Sequence, residues 1–197
     1  MILSPPPPVP APGAGLVVAG RTLDLRARVL VAGVVPAPRF GREGEVLATA
    51  AAVRAAGADL VDVSLPARLL GPVARAGGGS VAARAATAGE AAAARRAGAD
   101  VVLVPPAVAG DLDLGGDLAP GAVAVLIDDL AGLDEARALA DGRGLVLAVD
   151  AARWQGPEAV AREAAAVALG CRLVRTADVR RSRRVAEVMA ALLGARR

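Results

Sequence analysis

One pattern recurs along this chain: an alanine-rich segment, a glycine and a short apolar run. Residues 56–63 read AGADLVDV, residues 97–104 read AGADVVLV, and residues 169–175 read LGCRLVR as a looser third copy. A glycine after a helical segment is typical of a helix C-cap, and strands that are apolar on both faces belong to parallel sheets covered by helices. The pattern therefore predicts repeated helix–strand units.

Extended over the whole chain, the pattern predicts seven core strands and six helices. The strands are predicted at 29–35, 58–63, 78–82, 100–104, 121–127, 144–149 and 171–176. The helices are predicted at 43–56, 67–76, 88–97, 132–141, 157–169 and 179–193. A small hairpin over 16–25, with Gly20 in its turn, precedes them, and 105–120 is predicted to be a loop with at most a turn of helix.

These elements predict an α/β fold that resembles a TIM barrel, shortened to about seven core strands plus the N-terminal hairpin. Eight parallel strands close a standard barrel, so seven leave three arrangements open: an incomplete barrel, a barrel closed by seven strands, or one completed by another chain. An open doubly wound parallel sheet is the alternative, although no Gly-x-Gly-x-x-Gly follows the first strand. We expect a single domain over 15–197 behind a flexible, proline-rich tail at 1–14.

The residue types that are absent exclude several kinds of active site. The sequence has no His, Lys, Asn or Tyr, and all 23 basic residues are arginine. A histidine-based zinc site, a Ser-His-Asp triad and a Schiff-base lysine are therefore impossible, and acid–base chemistry would fall to Asp or Glu. The lone Cys171 is predicted to be a small buried hydrophobe.

Composition also bears on partners and location. No apolar run approaches the roughly 20 residues that span a bilayer, and the start of the chain does not look like a signal peptide. One Trp, one Phe and no Tyr leave little aromatic surface on which bases could stack. We expect a cytoplasmic protein that binds neither membranes nor nucleic acid.

The segment 171–184 carries the strongest candidate site. It is predicted to be a buried strand that delivers Arg175 to a turn, followed by a helix capped by Asp178. A guanidinium beside a helix N-terminus is a way to bind phosphate, so Arg175 and the amides of 178–180 form a candidate anion site. The competing interpretation pairs Arg175 with Asp150 or Asp178. Ser182, in the same first turn, is a further candidate ligand residue.

Three aspartates, Asp62, Asp128 and Asp150, follow or end predicted strands. They predict a carboxylate cluster at the C-terminal rim of a barrel, where barrel enzymes keep their chemistry. The competing interpretation is helix capping and solubility at strand ends. Two further features have structural interpretations: Trp154 as a core or interface anchor, and the arginines of the last helix, Arg180, Arg181, Arg183 and Arg184, as a solvated helix start or an interface.

Several of these segments resemble dihydropteroate synthase, the pterin-binding barrel enzyme of folate biosynthesis. The likeness covers most of 19–197: the hairpin GRTLDL at 20–25, the strands at 57–63 and 80–81, and the last helix–strand unit at 156–179, which ends like the family's Arg-x-His-Asp-Val motif. It is weakest over 105–150, where the chain lacks one strand–helix unit of the family. The resemblance implies a barrel and, for Arg175, a role as an anion ligand.

The same resemblance implies that most of the family's ligand residues are replaced. Its first-loop Asn falls on Pro36, its Asp-Thr pair on Ala82 and Ala83, and its Asn-Asp pair on Leu103 and Val104. Its Ser-Arg-Lys falls near 150–152, and its last His falls on Ala177. Asp128 stands near the position of a late pterin-binding Asp. Each lost hydrogen-bond partner costs about 1–3 kcal/mol, so specific pterin binding and catalysis are both expected to be abolished.

The resemblance and these losses predict a degenerate dihydropteroate-synthase-like protein without synthase activity. It would act as a folate-pathway-related binding or partner protein and associate, with itself or with a relative, through its last two helices. The alternative is an enzyme of pterin or phosphate-ester chemistry that uses Arg175 with Asp62, Asp128 or Asp150, its ligand being a pterin diphosphate or phosphate. A third interpretation is a decaying paralogue with no retained function.

Overall fold

The computed structural model describes residues 15–18, 21–25, 28–36, 43–63, 69–77 and 79–194. Its strands are β1 Gly15–Val18, β2 Arg21–Asp24, β3 Leu30–Val35, β4 Leu60–Val63, β5 Ser80–Arg84, β6 Val101–Val104, β7 Val123–Ile127, β8 Val146–Asp150 and β9 Leu173–Thr176. Its helices are α1 Glu43–Ala55, α2 Leu70–Gly77, α3 Ala88–Arg96, α4 Pro106–Asp111, α5 Leu133–Arg143, α6 Gly156–Ala168 and α7 Val179–Gly194.

The strands β3 to β9 form a closed parallel barrel in sequence order. Each strand pairs with the next, and β9 returns to β3 with Leu30 opposite Leu173 and Ala32 opposite Arg175. The prediction of a seven-stranded TIM-barrel-like fold is confirmed, and closure by the chain's own strands excludes the open doubly wound sheet. Strands β1 and β2 form a separate antiparallel hairpin.

The repeated sequence unit has a repeated backbone geometry. Gly57, Gly98 and Gly170 all have a positive φ, at 101°, 103° and 113°, which only glycine adopts without strain. In the first two copies the following aspartate accepts a hydrogen bond from the start of the preceding strand of the barrel: Asp59 from the Val31 amide at 2.8 Å and Asp100 from the Val81 amide at 2.9 Å. The unit therefore ends a helix, and its aspartate hydrogen-bonds the start of the next strand to the neighbouring strand of the barrel.

Two apolar clusters hold the barrel together. The outer cluster lies between the strands and the helices that cover them, and includes Val61, Val102 and Val174. The inner cluster fills the barrel itself and includes Leu60, Leu103 and Leu173. Leu16 and Val18 of β1 also belong to the inner cluster, so the hairpin packs against the barrel interior. This double burial explains why the strands are apolar on both faces.

The strand and helix predictions differ from the structure mainly at their ends. The stretch predicted as a loop over 105–120 contains the helix α4 and two short 3-10 turns, Gly116–Leu118 and Pro120–Ala122. Proline at the start of a helix gives up no hydrogen bond, so Pro106 begins α4 instead of preventing it. The tail at 1–14, the turn residue Gly20 and the predicted helix start at 67 lie outside the described residues.

Within the described residues, no helix is both long enough and apolar enough to span a bilayer. The cytoplasmic location and the single domain over 15–197 stay predictions.

Candidate functional site

Five charged side chains form a layer at the C-terminal ends of the barrel strands. Side chains alternate along a strand, and Leu60, Ala82, Leu126, Ala148 and Leu173 all belong to the inner cluster. In β4, β5, β8 and β9 the residue two positions later therefore points the same way, towards the C-terminal end of the strand. After β7 that position falls just beyond the last strand residue, Ile127. These residues are Asp62, Arg84, Asp128, Asp150 and Arg175. We call this set the rim charges.

Arg175 lies at the centre of the rim charges and binds two carboxylates. Its Nε donates to Asp62 Oδ2 at 2.6 Å, and its Nη1 donates to both oxygens of Asp150, at 2.9 and 3.0 Å. All three side chains are buried, with 8% of the Arg175 side chain and none of the Asp62 side chain exposed. The predicted pairing of Arg175 with Asp150 is therefore present, and Asp62 joins it.

Arg84 is the rim charge that the sequence did not reveal. Its Nη1 donates to Asp150 Oδ2 at 3.2 Å, and its Nη2 lies 3.9 Å from Asp128 Oδ1. The strand was predicted to end at 82, whereas β5 continues through Arg84. A charged residue that ends an apolar strand is the same signal that marked Arg175, so a longer strand prediction would have found it.

Burial and charge act in opposite directions on the pKa values of this layer. Burial raises the pKa of Asp62 above its usual value, the charge and hydrogen bond of Arg175 lower it, and the nearby Asp150 raises it again; the net shift is upward. For Arg175, burial lowers the pKa, but the charges of Asp62 and Asp150 outweigh burial and raise it. Arg175 therefore stays charged while two carboxylates share it.

Asp128 differs from the two buried aspartates, because 80% of its side chain is exposed. It borders an open cleft of about 570 Å³ at the C-terminal ends of β6 and β7, beside the start of α5. The structure therefore brings Asp62, Asp150 and Arg175 into one buried group, and places Asp128 at its outer edge, where β7 ends.

The start of α7 is capped from within the chain. Asp178 Oδ1 accepts from the Arg181 amide at 3.1 Å, as predicted, and the Asp178 amide itself donates to Thr176 Oγ1 at 3.0 Å. Ser182 is fully buried in the first turn of α7, and its hydroxyl has no hydrogen-bond partner in the described part of the chain. The anion-binding roles predicted for Arg175 and Ser182 stay predictions.

Two arginines of α7 have internal partners and are not part of a solvated helix start. Arg181 binds the fully buried Glu163 of α6 at 2.7 Å and donates to the Trp154 carbonyl at 3.2 Å. Arg183 donates to the Gly57 carbonyl at 2.6 Å and pairs with Asp59. Sequence periodicity missed these contacts because both partners lie on other elements. Arg180 and Arg184 are exposed.

Trp154 and Cys171 have the structural roles expected of them. Trp154 is half-buried against the outer cluster, and the guanidinium of Arg162 lies 5.9 Å from its ring centroid. Cys171 is fully buried, and burial raises the pKa of its thiol to about 12, which leaves it unreactive. No group of three or more Cys, Asp or Glu side chains in the described ranges could hold a metal ion.

Solved structures similar to this fold are dihydropteroate synthases. The enzyme from Burkholderia cenocepacia complexed with 7,8-dihydropteroate is 17% identical, with a TM-score of 0.66 over 96% of this chain and 98% of that one. The Vibrio fischeri enzyme is 13% identical, with a TM-score of 0.67 over 91% of this chain and 98% of that one. The Thermus thermophilus enzyme is 22% identical, with a TM-score of 0.61 over 90% and 99%.

No protein-family model matches the sequence, and no curated protein matches it either. The similarity therefore rests on three-dimensional structure at low identity, and confirms at that level the resemblance stated from the sequence. The chain has the fold of dihydropteroate synthase.

Proposed function

We propose that this chain is a dihydropteroate-synthase-fold protein that lacks synthase activity and serves as a folate-pathway-related binding or partner protein. The observation that carries the proposal is the pairing of Arg175 with two buried carboxylates. Arg175 occupies the position that the sequence resemblance assigns to a pyrophosphate ligand, and it is held by Asp62 and Asp150 at 2.6 to 3.0 Å.

Loss of pyrophosphate in the synthase reaction needs preorganised positive charge at the departing group. The rim charges contain three carboxylates and two guanidiniums, which leaves one net negative charge. A pyrophosphate that approached Arg175 would have to displace two buried carboxylates from it. This geometry therefore favours ligands other than a pyrophosphate.

The inner surface of the barrel gives independent support. Ala82 and Leu103, which replace an Asp and an Asn of the family by the sequence resemblance, are both buried in the inner cluster. Neither side chain can hydrogen-bond a pterin ring, and the chain has no Asn, Lys or His to substitute. A pocket that recognises a ring by paired hydrogen bonds loses its selectivity when those partners are removed.

The proposal is tested by a synthase assay with a pterin diphosphate and p-aminobenzoate. We expect a rate equal to the uncatalysed background, with an active dihydropteroate synthase as the positive control. Product formed above background by purified protein, and lost in Arg175→Ala, would show that the chain is a synthase and overturn the proposal.

We further propose that partner binding uses the last two helices. Val160 of α6 and Val188 and Leu192 of α7 are all exposed, while α6 and α7 pack against each other. Exposed apolar side chains that form one patch across two neighbouring helices mark a protein–protein contact. A second copy of this chain is the partner we propose first.

One observation favours the alternative, an enzyme with altered chemistry on a phosphorylated ligand. Asp62 lies at the barrel mouth, and its carboxyl has a raised pKa. Carboxyl groups with shifted pKa values are common in active sites. The full burial of Asp62 argues against direct contact with a ligand. This alternative predicts that phosphate or a pterin diphosphate raises the melting temperature. Arg175→Ala should remove the rise, and Arg96→Ala, a change at an exposed arginine of α3, should keep it.

A further inference from the structure

Arg84 and Arg175 differ in what they offer to a ligand. The Arg175 side chain is 8% exposed and its Nε and Nη1 bind carboxylates, whereas 43% of the Arg84 side chain is exposed. Arg84 Nη1 binds Asp150, and Arg84 Nη2 has Asp128 as a neighbour at 3.9 Å, beyond hydrogen-bond distance. Arg84 is therefore the guanidinium of the rim that a ligand can reach.

The contact between Arg84 and Asp128 is weak enough to exchange. Ion pairs between exposed side chains contribute about 0–1 kcal/mol, because water solvates both partners when they separate. An oxyanion at hydrogen-bond distance from Arg84 Nη2 would make a better contact than Asp128 makes at 3.9 Å. Arg84 would keep its bond to Asp150, which holds the guanidinium in place.

A cleft of ligand size opens beside Asp128, and Arg84 lies at its edge, outside the lining residues and 3.9 Å from Asp128. The cleft volume of about 570 Å³ is within the range of small-molecule sites. Its apolar lining includes Pro105, Leu126 and Leu139. Its charged residues, among the described residues that line it, are all acidic: Asp128, Asp129 and Glu135.

We propose that this cleft binds a small zwitterionic molecule. Its oxyanion, a phosphate ester or a carboxylate, binds Arg84, and its cationic group faces Asp128, Asp129 and Glu135. With Arg84 at the edge of the cleft and three acidic residues lining it, the site selects for both charges, because a purely anionic ligand would meet carboxylates that no cation of its own compensates. The inference rests on the proposed binding function and names a ligand class for it.

The test is calorimetric titration of the full chain with three probes of similar size. Phosphoethanolamine carries both charges, ethyl phosphate only the anion, and ethylamine only the cation. We expect phosphoethanolamine to bind about twofold to fivefold more tightly than ethyl phosphate, because an exposed ion pair contributes about that much to affinity. We expect ethylamine to bind more weakly than either.

Variants separate the two halves of the site. Arg84→Ala should lower the affinity for phosphoethanolamine by about tenfold or more, because the ligand would lose a hydrogen bond to a charged group. Asp128→Asn should bring the affinities of phosphoethanolamine and ethyl phosphate together, because the carboxylate that separates them is gone. Arg96→Ala, an exposed arginine of α3, makes the same change in net charge as Arg84→Ala and should bind as the wild type does.

Three results would overturn the inference: no binding of phosphoethanolamine at millimolar concentration, equal binding of ethyl phosphate by the wild type, or full binding by Arg84→Ala. If Arg84→Ala does not fold, the titrations of Asp128→Asn decide the test. The Asp128 side chain is mostly exposed, so this variant should fold. The synthase assay is independent of these titrations, so a failed ligand class and a failed proposed function give different results.

Discussion

At the scale of single residues, the three buried rim charges, Asp62, Asp150 and Arg175, are held by mutual pairing and not by water. Arg175 and its two aspartates lie where solvent barely reaches. Breaking a buried ion pair by removing one partner is costly, because the other charge stays buried without compensation. Arg175 therefore has a structural role whatever the barrel mouth binds.

Arg175→Ala should lower the free energy of unfolding by about 3–5 kcal/mol, because Asp62 and Asp150 would lose the guanidinium between them. Arg162→Ala is the control, since its pair with Glu158 is exposed and should contribute at most about 1 kcal/mol. Urea unfolding measures both. Equal small losses in the two variants would contradict a buried role for Arg175.

The raised pKa of Asp62 gives a prediction for pH. Because the folded-state pKa lies above the unfolded value near 3.8, the folded protein holds this proton to higher pH than the unfolded chain does. The contribution of Asp62 to stability should therefore fall as pH rises from the unfolded value through the folded one. Asp62→Asn removes this titration.

Urea unfolding of the wild type and Asp62→Asn over the acidic range is the measurement. We expect the stability of the wild type relative to Asp62→Asn to decrease as pH rises through that window. The other carboxylates titrate in both proteins, so their contribution to the pH dependence cancels in this comparison. Parallel curves for the two proteins would show that the pKa of Asp62 is not raised.

At the scale of elements, the helices approach the barrel closely where side chains are small. Gly33 of β3 faces α1 and α7, and a Cβ at this position would lie 2.3 Å from Val53 Cγ1 and 2.7 Å from Val179 Cγ2. Glycine at this position therefore lets two helices pack against one strand.

Gly33→Ala should destabilise the fold by about 1–3 kcal/mol, the usual cost of overpacking a core. Gly142→Ala is the matched control, because a Cβ there meets nothing within 4 Å in the second-last residue of α5. That change should be neutral or stabilise by up to about 1 kcal/mol, since alanine favours helix. Thermal unfolding of both variants separates close packing from a general effect of replacing glycine.

The elements were also the part of the structure that the sequence predicted best. All seven core strands and the six predicted helices are present, because apolar runs and glycine caps are local signals. The helix α4 was missed because its prolines and glycines are typical of loops. The sequence located the ends of β4, β7, β8 and β9 well enough to find four of the five rim charges, and it missed Arg84 by ending β5 early.

At the scale of the whole molecule, seven strands close a barrel without help from another chain. A second copy is therefore not needed to complete the sheet. The apolar side chains that stay exposed on α6 and α7 are available for a contact between complete barrels.

We expect the wild type to be a dimer in light scattering and the double variant Val188→Asp with Leu192→Asp to be a monomer, because a charge at each position cannot be buried in an apolar contact. Val17→Asp, an exposed apolar residue of the hairpin, is the control and should not change the mass. A monomeric wild type, or dissociation by Val17→Asp alone, would contradict association through the last two helices.

The repeated helix–strand units, their glycine caps and the parallel character of the strands follow from the sequence alone, because each depends on residues close together in the chain. Tertiary structure decided how many strands close the barrel and which charges meet. Asp62 and Arg175 are 113 positions apart, and their contact exists only because β9 returns to β3, the neighbour of β4. Strands that are apolar on both faces do not reveal which face lines the barrel. Only closure showed that Arg175 faces two carboxylates.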